Sequence, residues 1–175
     1  VLSEANETGY YYKPRIDLKT LEEHHEGLVC LSACLAGDIS QAILNRDFEE
    51  AERLVQWFKR VFGEDFYLEL QNHDLPEQIE VNKYLRLYSK KYDVKLVATN
   101  DVHYIKSEDA KNQDVLLCIQ TGRTLDEENR MRFETEEFYL KSEEEMRSLF
   151  RYAPEAIENT NLIAEKCDFE FTFGE

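Results

Sequence analysis

The chain has 175 residues, a formal charge of −16 at neutral pH, 42% apolar and 12% aromatic residues. That length and apolar content suit one domain with its own core and exclude a disordered chain. No apolar run approaches the ~20 residues of a membrane-spanning helix, and so strong an acidic balance argues against a principal DNA- or RNA-gripping surface, since phosphate backbones are held mainly by cations. The start, VLSEANETGY, has neither the basic end nor the apolar core of a signal peptide. The four cysteines form no C-x-x-C pair and read as reduced thiols, so a cytoplasmic location with no membrane contact is expected.

In chain order, residues 18–26 read as an acidic helix with His24 and His25 on a solvated face. Residues 27–32, GLVCLS, read as a short buried strand, and residues 38–45 as a short helix. Asp47 with Glu50 three residues on is a capping-box-like start for a helix to residue 62, whose apolar face is Phe48, Ala51, Leu54, Val55 and Phe58 and whose stop is Gly63. A strand at 66–71 precedes a helix at 76–92 with Pro76 in its first turn. A strand at 95–99 precedes a helix at 108–120, expected to turn Val115, Leu116 and Ile119 inward and to end at Gly122. Beyond it come a basic island at Arg130 to Arg132, a short strand at 138–141, a capping box Ser142-x-x-Glu145, a helix at 154–167 and an alternating edge strand at 169–173. Cys30, Cys118 and Cys167 are expected in the core.

The βαβαβα order implies parallel strands with helical crossovers, hence an α/β sheet or barrel with its site at the strand C-termini. Polar clusters fall there: Ser32-Ala33-Cys34, Asn72-His73-Asp74 and Asn100-Asp101-Val102-His103. Asp101 and His103 sit two apart, on one side of extended chain. A carboxylate beside an imidazole suits a divalent metal or a proton transfer, and it equally suits the start of a loop.

The blocks GLVCLSACLAGDI, FYLELQNHD, VATNDVHY, DVLLCIQTGRTLDEENRMRFETEEFYLKSEEEM and PEAIENTNLIAEKC together resemble bacterial replicative DNA polymerase III alpha subunits. The likeness lies in their polymerase-and-histidinol-phosphatase (PHP) domain and the segment leading to the palm. It implies part of a distorted (β/α)7 PHP barrel over residues 1–122, followed by a short α+β connecting segment over 123–175. It also implies metal ligands at Cys34, Asp101 and His103 holding zinc or manganese, with His73 and Asn100 at the rim and no catalytic residue in the chain itself. The remaining ligands of that family belong to an earlier part of the domain, so a fragment is expected; NETGY running straight into YYKPRID suggests a gap between Tyr10 and Tyr11. The parent would be a magnesium-dependent DNA-directed DNA polymerase. This region would support the palm and thumb, dock a proofreading exonuclease subunit and, with a complete metal cluster, act as a 3′–5′ exonuclease, while other domains contact DNA. The alternatives are a stand-alone PHP phosphoesterase and a metal-free interaction scaffold.

Overall fold

The structure is a computed structural model describing residues 1–174. Its centre is a three-stranded parallel sheet: β1 (Cys30–Leu31), β2 (Phe66–Leu70) and β3 (Lys95–Ala98), in the order β1-β2-β3. Cys30 pairs with Phe66 and Tyr67 with Lys95, so the register steps evenly across the sheet. The middle strand reads FYLEL and buries every residue but Glu69, as expected of a parallel strand covered on both faces.

The helices are α1 (Leu2–Glu7), α2 (Leu18–Glu23), α3 (Asp38–Leu44), α4 (Phe48–Phe62), α5 (Pro76–Tyr92), α6 (Ala110–Thr121), α7 (Glu143–Leu149) and α8 (Pro154–Lys166). Helix α3 packs on α4 and α5, α5 on β2, and α8 on β3. One core joins Ile39, Ile43, Val55, Leu68, Leu85 and Phe150, all at most 1% exposed. Asn159 of α8 secures its helix by donating to the Leu96 carbonyl of β3 at 2.7 Å.

The helix ends form as their sequences dictate. Asp47 accepts from the Glu50 N–H at 3.1 Å, but the Glu50 carboxylate turns to Arg53 at 2.6 Å instead of closing the box. Gly122 ends α6 in the left-handed region at φ +65°, and the Arg123 N–H reaches back to the Cys118 carbonyl at 2.9 Å. The Ser142 box is complete, and hydrogen bonds from Ser142 and the Tyr139 hydroxyl hold the Glu145 carboxyl down to about 2.

Several expectations are corrected. Helix α2 stops at Glu23, leaving His24 exposed past its end while His25 meets the Phe62 ring edge-on at 5.9 Å. The 138–141 strand reduces to a single bridge between Tyr104 and Tyr139. Residues 169–173 form no strand, their Phe side chains are exposed, and Cys167 is exposed beyond the last turn of α8. Alternation alone makes no strand where no sheet edge receives it.

Helix α6 faces the opposite way from expectation. Val115, Leu116 and Ile119 are 42%, 57% and 72% exposed, and Leu117 and Cys118 are buried instead. The run VLLCI clothes the whole circumference, so its period cannot choose a face. A polar contact marks the buried side: Asp114, on the Leu117–Cys118 side, accepts from Nη1 and Nη2 of Arg130 at 2.5 and 2.7 Å. The Arg130 side chain is only 6% exposed, so this pair anchors the Leu117–Cys118 side of α6 to the segment that follows the helix.

These placements separate two leucines. Leu68→Ala should cost about 2 to 5 kcal/mol in denaturant unfolding, as a large-to-small change in a sealed core, whereas Leu116→Ser should stay within about 0.5 kcal/mol.

Candidate functional site

All three strands deliver their chains to one end of the sheet, and each does so through a left-handed residue. Ala33 follows β1 at φ +64°, Asp74 follows β2 at φ +61° and Asp101 follows β3 at φ +42°. Asp tolerates this conformation through its short polar side chain, but for alanine it costs about 1 to 2 kcal/mol. Something must hold Ala33 there.

The holder is Glu69, the one half-buried residue of β2. Its Oε2 accepts from the Ala33 N–H at 3.1 Å, and its Oε1 accepts from Gln71 Nε2 at 3.0 Å and from the Thr99 hydroxyl. The Glu69 N–H is in turn bound by Ser32 Oγ at 2.8 Å. One carboxylate thus ties the ends of three strands. The sequence reading passed over it, although a lone acid inside the apolar run FYLEL is a visible signal that a buried charge must be paid with donors.

The loop after β3 has another task. Asn100 Nδ2 donates to the carbonyls of Glu137 and Tyr139 at 2.9 and 2.6 Å, and the His103 N–H donates to the Phe138 carbonyl at 2.8 Å. The Phe138 ring lies buried against His73, with centroids 3.9 Å apart and planes 19° apart. His73 is itself enclosed. Its Nε2 bonds the Asn100 carbonyl at 2.9 Å, its Nδ1 bonds Gln78 Nε2 at 2.8 Å, and Gln78 Oε1 accepts the His73 backbone N–H at 2.7 Å. A carbonyl only accepts and an amide NH2 only donates, so the ring is neutral with its proton on Nε2. Burial pushes its pKa down, against the opposing pull of the Asn100 carbonyl and of Asp101 and Glu137. His73 and Asn100, expected at a rim, are buried here and form a clamp on residues 137–139, with protein groups meeting both ring nitrogens of His73 and the amide NH2 of Asn100.

The expected ligand residues are dispersed. His103 Nδ1 and Asp101 Oδ1 approach to 4.0 Å, but the ring nitrogen already meets the Asp101 carbonyl at 2.7 Å. Cys34 instead borders a cleft with Glu69, Gln71 and Gln78 whose volume of about 10 Å3 has room for no more than a water. Among the described residues no three His, Cys, Asp or Glu side chains group as a metal centre. The residues present do not by themselves fit a zinc or manganese ion, which takes several ligands at short range. Gln71 Oε1 and Asn100 Oδ1 are buried without a hydrogen-bond partner, so the mouth retains acceptor capacity.

Comparison with known proteins gives this geometry its context. Residues 1–73 match the PHP domain, a match that ends at His73 and stops short of Asp101 and His103. The chain thus carries PHP-domain sequence on an α/β frame with parallel strands. It is 54% identical over 94% of its length to DNA polymerase III subunit alpha of Borreliella burgdorferi, 44% over 99% to that of Thermus aquaticus, and 44% over 95% to that of Treponema pallidum. Within the PHP class the chain belongs to the DNA polymerase III alpha-subunit family, and it spans about 14% of the length of these relatives.

Two outcomes test the mouth. Glu69→Ala leaves three donors without their acceptor and should cost about 2 to 3 kcal/mol by denaturant unfolding; a loss under ~0.5 kcal/mol would remove its tying role. For His73 the folded pKa lies below the unfolded value of about 6.5, so the unfolded chain binds the extra proton. The stability from the neutral ring is full above pH ~6.5 and declines as pH falls below it. Denaturation midpoints between pH ~7.5 and ~5 should drop more steeply for the wild type than for His73→Gln, and parallel profiles would contradict this.

Proposed function

We propose that the chain is a structural part of a DNA polymerase III alpha subunit, with residues 1–122 the later portion of its PHP domain and 123–175 the connection toward the polymerase palm. The observation that carries this reading is that similarity to the Thermus aquaticus subunit runs over 99% of the chain, through the strand-end loops and on through the segment they clamp. Clamping the FETEEFYLKS segment onto the PHP mouth is what a palm-supporting scaffold requires. The same segment argues against a stand-alone phosphoesterase, which has no polymerase palm to reach.

Three strands make an open sheet, and in this reading further strands of a (β/α)7 barrel complete it. The charge of −16 leaves DNA to other domains of the parent, which would perform magnesium-dependent nucleotide transfer. Support of the palm and thumb and docking of a proofreading exonuclease subunit are the partner roles consistent with an acidic scaffold. Zinc or manganese at Cys34, Asp101 and His103, and any 3′–5′ exonuclease activity, depend in this reading on ligands supplied by the rest of the domain.

A chimera tests the reading. Replacing the matching segment of the Thermus aquaticus subunit with this chain should yield a folded protein that extends a primed template. A folded chimera that fails to extend it would overturn the scaffold role. Mass spectrometry of the isolated chain, purified without chelator, should find no stoichiometric zinc or manganese; a full equivalent lost in Asp101→Ala would establish the metal centre instead.

A further inference from the structure

A cleft of about 470 Å3 opens between α5 and the turn joining α7 to α8, and nothing in the polymerase reading uses it. Its size lies in the range of small-molecule sites. Lys83 and Arg86, one helical turn apart on α5, both line it. In a chain of charge −16 neither forms an ion pair among the described residues. Glu80, the one carboxylate on the wall, is drawn to Arg46 at 3.0 Å.

The cations are also placed. The Arg86 guanidinium lies 4.7 Å from the centroid of the Tyr152 ring, which restrains it and leaves the edge of its planar fork for an oxyanion. The Tyr152 hydroxyl stands 3.5 Å from Asn82 Nδ2, whose amide is anchored on the Gln71 carbonyl at 2.8 Å. Asn72 lends its Oδ1 to the Asp74 N–H at 3.2 Å, so its donor end remains for the cleft. Beside these donors Pro76 and the exposed Ile79 give an apolar wall.

We propose that this cleft binds a small phosphorylated organic molecule, with its phosphate on Arg86 and Lys83 and its organic part against Ile79 and Pro76. Two cations, with the Asn72 amide and the Tyr152 hydroxyl as further donors, match a doubly charged group with several oxygens better than a single carboxylate. The proposal stands apart from the polymerase reading, because its residues lie outside both the clamp and the expected ligand set.

The test is calorimetric titration of the 175-residue chain with adenosine monophosphate and, separately, with inorganic phosphate. The nucleotide should bind more tightly than phosphate, and Arg86→Gln should weaken it about tenfold, the scale of one lost charge-assisted hydrogen bond. Lys83→Gln should weaken it too, and Arg86→Lys should fall between Arg86→Gln and the wild type. Lys90→Gln, elsewhere on α5, should bind like the wild type. No nucleotide binding by the wild type, an equal loss in Lys90→Gln, or phosphate binding as tightly as the nucleotide would each overturn the proposal. Far-UV circular dichroism of every variant separates a lost site from a lost fold.

Discussion

One carboxylate sets the terms for this structure. Glu69 sits at the middle strand's exit and collects donors from the loop after β1, from its own strand and from the end of β3. Even half-buried, an acid in a parallel sheet is stabilised by hydrogen-bond donors around it, and the three strand ends converge to supply them. Ala33 accepts a left-handed backbone to do so. The mouth is accordingly arranged around one half-buried charge whose donors come largely from the protein, and the polar residues beside it supply them.

Next to this hub, the loop after β3 holds the chain that returns much later. Asn100, His73 and the His103 backbone grip residues 137–139 through hydrogen bonds and a ring stack. The grip joins the strand-end loops to residues 137–139 across 37 and 39 residues of sequence. Because His73 uses both ring nitrogens, rotation or protonation of the ring breaks a bond, and the two regions are coupled as one packed body.

Much of the fold was legible in advance, and for physical reasons. The helices with clear caps, α4 from Asp47 to Gly63, α5 with Pro76 in its first turn and α7 with its Ser142–Glu145 box, fall where their end signals stand. The strands β2 and β3 follow from short apolar runs between helices. The face of α6 was not legible, because VLLCI is apolar all round and the contact that marks the buried side comes from Arg130, 16 residues from Asp114. The site divided in the same way. Asp101 and His103 follow the third strand as the end of its apolar run implied, but Asp101 is left-handed at φ +42° and not extended, and the burial of His73 and Asn100 depended on Phe138, far along the chain. Glu69 was open to recognition as a charge within an apolar strand.

The outward face of α6 bears on how the molecule behaves in company. Val115, Leu116 and Ile119 form a sticky stripe on a particle whose charge of −16 otherwise keeps its neighbours at a distance. At an ionic strength of 0.1 M that repulsion reaches about 10 Å, and at 1 M only about 3 Å. Colloidally, then, the chain is protected by its surface charge and not by the quality of its surface packing. Salt shortens the range of that protection while leaving the stripe as adhesive as before.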